Sequence, residues 1–160
     1  MNPETKPRIF TVGHGNAPFQ EIERILQLHC VATVVDVRSI PYSKYAPDFR
    51  KSALAGFASA AGLGYRWMGD RLGGHPPQSA HGNVVMDGQA GDDSPSFRGA
   101  LAEVMALNTT GPVAMLCAER DPEHCHRSLV LAPQLEALGV EVFHILPDGA
   151  AHRHQPSLGI

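Results

Sequence analysis

Residues 117–127 read CAERDPEHCHR, directly after the apolar run PVAML. Two cysteines, two histidines, two arginines and three acids crowd into this stretch. Three chemistries compete for it. A zinc set would draw on Cys117, Cys125 and His126, with His14 or His124 as the fourth ligand. Cys125 and His126 are adjacent, however, so on a helix their side chains diverge by about 100° and do not share one ion. The chain also lacks any C-x-x-C or H-x-x-x-H pair, so neither a metal nor another cofactor is expected. A phosphatase-like or rhodanese-like loop would place an arginine six positions after its cysteine; after Cys117 that position holds Glu123. Cys125 stands where a helix is expected to begin, and a helix N-terminus lowers a thiol's pKa, which makes it the candidate reactive thiol. Cys117 reads as a small buried hydrophobe. The remaining chemistry is ionic: Glu119 and Arg127 face a pocket, with Cys117 packed beneath.

A second group follows the first two apolar runs. GHGN supplies His14 and Asn16, and DVRS supplies Asp36 and Arg38. Gly13-x-Gly15 followed by an acid some twenty residues on imitates a dinucleotide fingerprint. Pro18 replaces the third glycine, though, and Arg38 crowds the acid, so no dinucleotide is expected. Backbone amides at a helix start, with Arg38 beside them, would suit a phosphate or carboxylate. The plain alternative is a tight turn tied down by an Asp36–Arg38 pair. LGG at 72–74 reads as a turn needing positive φ.

Five apolar runs position these groups. Strands are expected over 8–13, 31–37, 63–68, 112–118 and 140–146. Helical spacing marks 17–29, with Asn16 as N-cap, then 48–62, a stretch capped by Ser94 through SFRGALAEVMAL, and 125–138. Residues 69–94 form a long glycine-rich loop. Alternation of this kind predicts one three-layer α/β domain over 1–160: a mostly parallel five-stranded sheet with helices on both faces, a core over about 8–147 and a flexible tail over 148–160. Ligands in such folds bind beyond the carboxyl ends of the strands, which is where the polar groups gather.

Four motifs in order, TVGHGNAPFQEIERIL, VVDVRSIPYSKYAPDF, LGYRWMGDRLGG and LCAERDPEHCHRSLVLAPQL, resemble the bacterial family catalogued as domain of unknown function 488. The resemblance runs from about Thr11 to Ile145. It implies that the GH-N, DVR, LGG and C-E…CHR positions are the family's signature, and it carries no substrate with it. Gly15 departs from the small hydroxyl residue expected there.

Bulk properties narrow the partners. Apolar content of 43% and charged content of 18% fit an ordinary globular chain. No apolar run approaches the roughly 18–20 residues of a membrane span. Three cysteines without framework spacing point to reduced thiols and the cytoplasm. Net charge is −3, yet residues 1–75 hold nine Lys/Arg against six Asp/Glu, and residues 76–160 hold four against ten. Arg38, Lys44, Arg50, Lys51, Arg66 and Arg71 carry most of the positive half. The leading expectation is an enzyme acting on a small anionic or nucleotide-like substrate. Glu119 and His14 would be its acid/base pair, and Asn16, Asp36, Arg38, His126 and Arg127 its binding residues. The rival is a non-catalytic ligand- or nucleic-acid-binding module using the basic rim around 38–51.

Overall fold

The computed structural model describes residues 6–73, 95–122, 125 and 130–155. Its elements are β1 (Arg8–Gly13), α1 (Phe19–Leu28), β2 (Thr33–Asp36), a 3-10 turn (Pro47–Phe49), α2 (Lys51–Ala60), β3 (Gly64–Trp67), α3 (Gly69–Leu72), α4 (Pro95–Asn108), β4 (Val113–Cys117), α5 (Ala132–Ala137), β5 (Glu141–Ile145) and β6 (Ala151–Arg153). The five expected strands are all present, in one sheet of order β3-β2-β4-β1-β5-β6. β1 to β5 pair in parallel and β6 is antiparallel to β5.

Strand periodicity divides the core. Val34, Ala114 and Leu116 face α1 and α2, where they meet Phe19, Ile22, Leu26, Phe49 and Leu54. Val35, Met115 and Cys117 face the other way, against Leu72, Phe97, Leu101 and Leu135 of α3, α4 and α5. Successive residues of one strand thus feed opposite layers, which is why β2 and β4 read as near-continuous apolar runs. Among the described residues, no helix is long and apolar enough to cross a membrane.

Three expectations need correction. The helix expected over 48–62 is split, because Arg50 is extended (ψ 143°) between the 3-10 turn and α2. Of the tail expected over 148–160, the described residues 148–155 turn back at Gly149 (φ 92°) and add a sixth strand that the sequence reading did not foresee. Its turn is tied to α1 by His29 Nε2 on the Gly149 carbonyl at 2.7 Å, and His154 N donates to Val142 O at 2.7 Å. Gly73 has φ −70°, so LGG does not supply positive φ there. A Cβ on Gly73 would instead overlap Ser39, and one on Gly69 would overlap the Arg38 carbonyl: these glycines permit close approach to the end of β2. Gly74, Ser94 and the rest of the expected loop lie outside the described residues.

Candidate functional site

β1 and β4 are neighbours whose onward chains enter opposite layers, α1 on one face and α5 on the other. Such a switch point opens a crevice beyond the strand ends. Here the ladder runs past the strands: His14 N donates to Cys117 O at 3.0 Å and Gly15 N to Ala118 O at 2.9 Å. Those two amides are therefore engaged internally. Gly15 adopts φ 53°, and Arg120 crosses directly over it on its way to Glu21, which it pairs at 3.2 Å. A side chain at position 15 would have to displace Arg120, which accounts for glycine in place of a hydroxyl residue.

His14, Asp36 and Arg38 converge and are buried. Because the backbone is extended, Asp36 and Arg38 project to the same side. Arg38 grips the carboxylate side-on, Nε to Oδ1 at 2.8 Å and Nη2 to Oδ2 at 2.7 Å. The Arg38 amide adds a donor to Oδ1 at 3.2 Å, and the Tyr65 hydroxyl donates to Oδ2 at 2.6 Å. Burying both charges is tolerable only with such complete pairing. Trp67 Nε1 then fixes the Arg38 carbonyl at 2.8 Å.

His14 Nδ1 lies 2.7 Å from the Gly15 carbonyl, which can only accept, so Nδ1 carries the proton. Nε2 carries none and faces Arg38 Nη1 at 3.3 Å. The ring stacks on Phe49 at 4.5 Å. Burial foremost, with Arg38 adding to it against the opposing Gly15 carbonyl and Asp36, pulls the His14 pKa from 6.5 down to about 4. His14 is therefore neutral at neutral pH, with its lone pair facing a guanidinium, a poor arrangement for a general base. Burial and the Asp36 carboxylate push Tyr65 upward, so it stays a donor.

Glu119 and Asn16 sit elsewhere. Glu119 is exposed, and its Oε1 accepts the Asp121 amide at 3.1 Å, closing its own turn. Asn16 is exposed and does not cap α1; Pro18 holds the N-cap position without a side-chain bond. The cap comes from Asp48, whose Oδ2 accepts the Phe19 amide at 3.0 Å. His126 and Arg127 lie outside the described residues. Cys125 is half-buried with Sγ 3.4 Å from that of Cys117, in the α3–α4–α5 layer. His14 packs on the opposite layer, so a zinc set of these three would have to straddle the sheet.

Sequence reasoning missed Phe49, Asp48 and Arg120; it offered the tyrosines and Trp67 only as base-stacking or packing rings, not as partners of the Asp36–Arg38 pair. Tyr65 and Trp67 carry a signal only once β3 is paired with β2, which sets Trp67 opposite Asp36. The basic rim also sorts itself. Arg66 and Arg71 are paired with Glu103, and Arg38 with Asp36. Lys44, Arg50 and Lys51 remain around the loop after β2, each over an aromatic ring: Tyr45 at 5.8 Å, Tyr42 at 4.7 Å and Trp67 at 4.6 Å. Tyr42 is 56% and Tyr45 75% exposed.

A family model described as "Domain of unknown function DUF488" matches residues 18–132. No curated protein and no solved structure matches the chain.

Proposed function

The chain belongs to the DUF488 family, whose description assigns no activity, and we propose from its site that it is a cytoplasmic binding module for base-containing phosphate ligands, single-stranded nucleic acid foremost. The observation that carries this reading is the rim itself. Tyr42 and Tyr45 expose large ring surfaces beside Lys44, Arg50 and Lys51, while the one acid of the same segment, Asp48, is held at the start of α1. The rim is thus locally positive on a chain of net charge −3. Cations track phosphates, and flat rings stack on bases whatever their sequence.

Anisotropy of a labelled single-stranded oligonucleotide, read across a salt series, tests the reading. Three phosphate contacts give a slope of log K against log salt of about −2. Tyr42→Ala should weaken binding by about 1–3 kcal/mol, as for a lost base stack, without changing that slope. Lys51→Ala should flatten the slope. Absence of saturable binding at low salt would refute the proposal. A mononucleotide competing as well as the oligomer would restrict the ligand to a nucleotide.

An acid/base enzyme using His14 and Glu119 is the second reading, favoured by a buried titratable cluster at the switch point. His14, held near 4, supplies little acid/base power at neutral pH, and the Glu119 carboxylate is turned to the Asp121 amide. A turnover found in a substrate screen and abolished by His14→Gln would reinstate it.

A further inference from the structure

We propose that Cys117 and Cys125 are a redox pair that closes an intramolecular disulfide on meeting a hydroperoxide. The two sulfurs lie 3.4 Å apart. Bonded sulfurs sit about 2.0 Å apart, so closure needs a shift of about 1.4 Å, within reach of side-chain rotation with a small backbone adjustment.

The two partners are unequally held. Cys117 ends β4, with β1 alongside it and its own carbonyl accepting the His14 amide at 3.0 Å. Its side chain is buried, 4% exposed, and Sγ approaches the Glu119 carbonyl at 3.4 Å. Cys125 is half-buried and packs against the same apolar cluster. An oxidant reaches Cys125 first and finds Cys117 already placed behind it.

The chemistry follows that order. The Cys125 thiolate attacks the distal oxygen of the hydroperoxide; an S–O bond forms, the O–O bond breaks, and the alkoxide takes up the proton released by the thiol. Cys125 is now a sulfenic acid and the peroxide is reduced to an alcohol. The Cys117 sulfur then attacks the Cys125 sulfur; the S–S bond forms, the S–O bond breaks, and hydroxide leaves with the Cys117 proton as water. Two thiols and one hydroperoxide become a disulfide, an alcohol and water.

The consequence is local to the site. The bond would tie together the two ends of the segment that carries Ala118 and Arg120. That segment accepts the Gly15 amide and covers Gly15, one residue from His14. Cys30 lies before β2, at the amino end of the sheet, and takes no part.

The test uses the full chain carrying Cys30→Ser, reduced, treated with hydrogen peroxide, then unfolded and alkylated with iodoacetamide. The expected product is lighter than the reduced chain by two hydrogens, takes up no alkyl groups, yields one peptide pair joining Cys117 to Cys125, and reverts with dithiothreitol. With Cys125→Ser added, Cys117 should remain fully alkylatable after unfolding; with Cys117→Ser, Cys125 should be trapped as sulfenic acid by dimedone. The proposal is overturned if both thiols of the Cys30→Ser chain stay alkylatable after peroxide. It is equally overturned if Cys125 accumulates sulfenic or sulfinic acid while Cys117 stays a thiol. The first measurement stands even if a second substitution prevents folding.

Discussion

The carboxylate of Asp48 accepts the backbone amide of Phe19 at 3.0 Å, reaching from the 3-10 turn to the first residue of α1. A protein-borne anion thus occupies the helix start that the glycine-rich turn suggested for a phosphate. The helix has no cap of its own at Pro18, so the contact joins two segments far apart in sequence.

Asp48→Ala should therefore cost about 1 kcal/mol, the usual worth of a lost N-cap, measured by urea unfolding. Asp48→Asn keeps an acceptor and should cost less. With the position vacated, inorganic phosphate should raise the melting temperature of Asp48→Ala more than that of the parent chain. An equal response would mean that the helix start is not the position Asp48 protects.

Asp36 and Arg38 are buried together, so each depends on the other. Arg38→Met leaves a buried carboxylate with only the Tyr65 hydroxyl and one amide, and should cost about 3–5 kcal/mol. Asp36→Asn should be comparably harmful, because it strands a buried guanidinium. The double variant should lose much less than the sum. Additive losses in the double-mutant cycle would show that the pair is not coupled as its geometry requires.

His14 makes the protein sensitive to acid. Its pKa is about 4 in the folded chain and 6.5 when unfolded, so between those values the unfolded state binds more protons. Stability from this group is complete above about pH 6.5, declines as pH falls, and levels below about pH 4. The upper bound is about 3 kcal/mol, because each tenfold difference in proton affinity between the two states is worth about 1.4 kcal/mol. His154, lowered chiefly by its burial, acts in the same direction. Urea midpoints taken from about pH 7 to about pH 4 should fall for the parent and fall less steeply for His14→Gln. Parallel profiles would place the sensitivity elsewhere.

How much of this could be read from the chain depended on whether a feature was local. β2 and β4 were legible because strands covered on both faces read as near-continuous apolar runs. β6 was not, since an edge strand reading AHR has no apolar run to betray it. The Asp36–Arg38 pair was legible because alternate residues of extended chain share a side. Tyr65, the other partner of that carboxylate, depends on the register of β3 against β2. Glu119 was expected to face the pocket, above a packed Cys117. The chain leaves the sheet after Cys117, and the carboxylate turns to the nearest open amide instead.

Gly69 and Gly56 make opposite predictions from the same substitution. Gly56 lies in α2 with nothing within 4 Å of an added Cβ, so Gly56→Ala only removes backbone freedom and should stabilise by about 0.5–1 kcal/mol. Gly69 begins α3 where a Cβ would overlap both the Arg38 carbonyl and Trp67 Nε1, the two groups that bond each other at 2.8 Å. Gly69→Ala must part them, moving the backbone that carries Arg38 and the ring beneath Lys51. A loss of at least about 2 kcal/mol is expected, from a broken buried hydrogen bond and overpacking together. Chemical denaturation of both variants, run beside oligonucleotide binding, separates stability from function. Gly56→Ala should bind as the parent does, and Gly69→Ala should bind more weakly even where it remains folded. A Gly69→Ala chain as stable as the parent would mean that β2 and α3 do not approach as closely as this geometry has them.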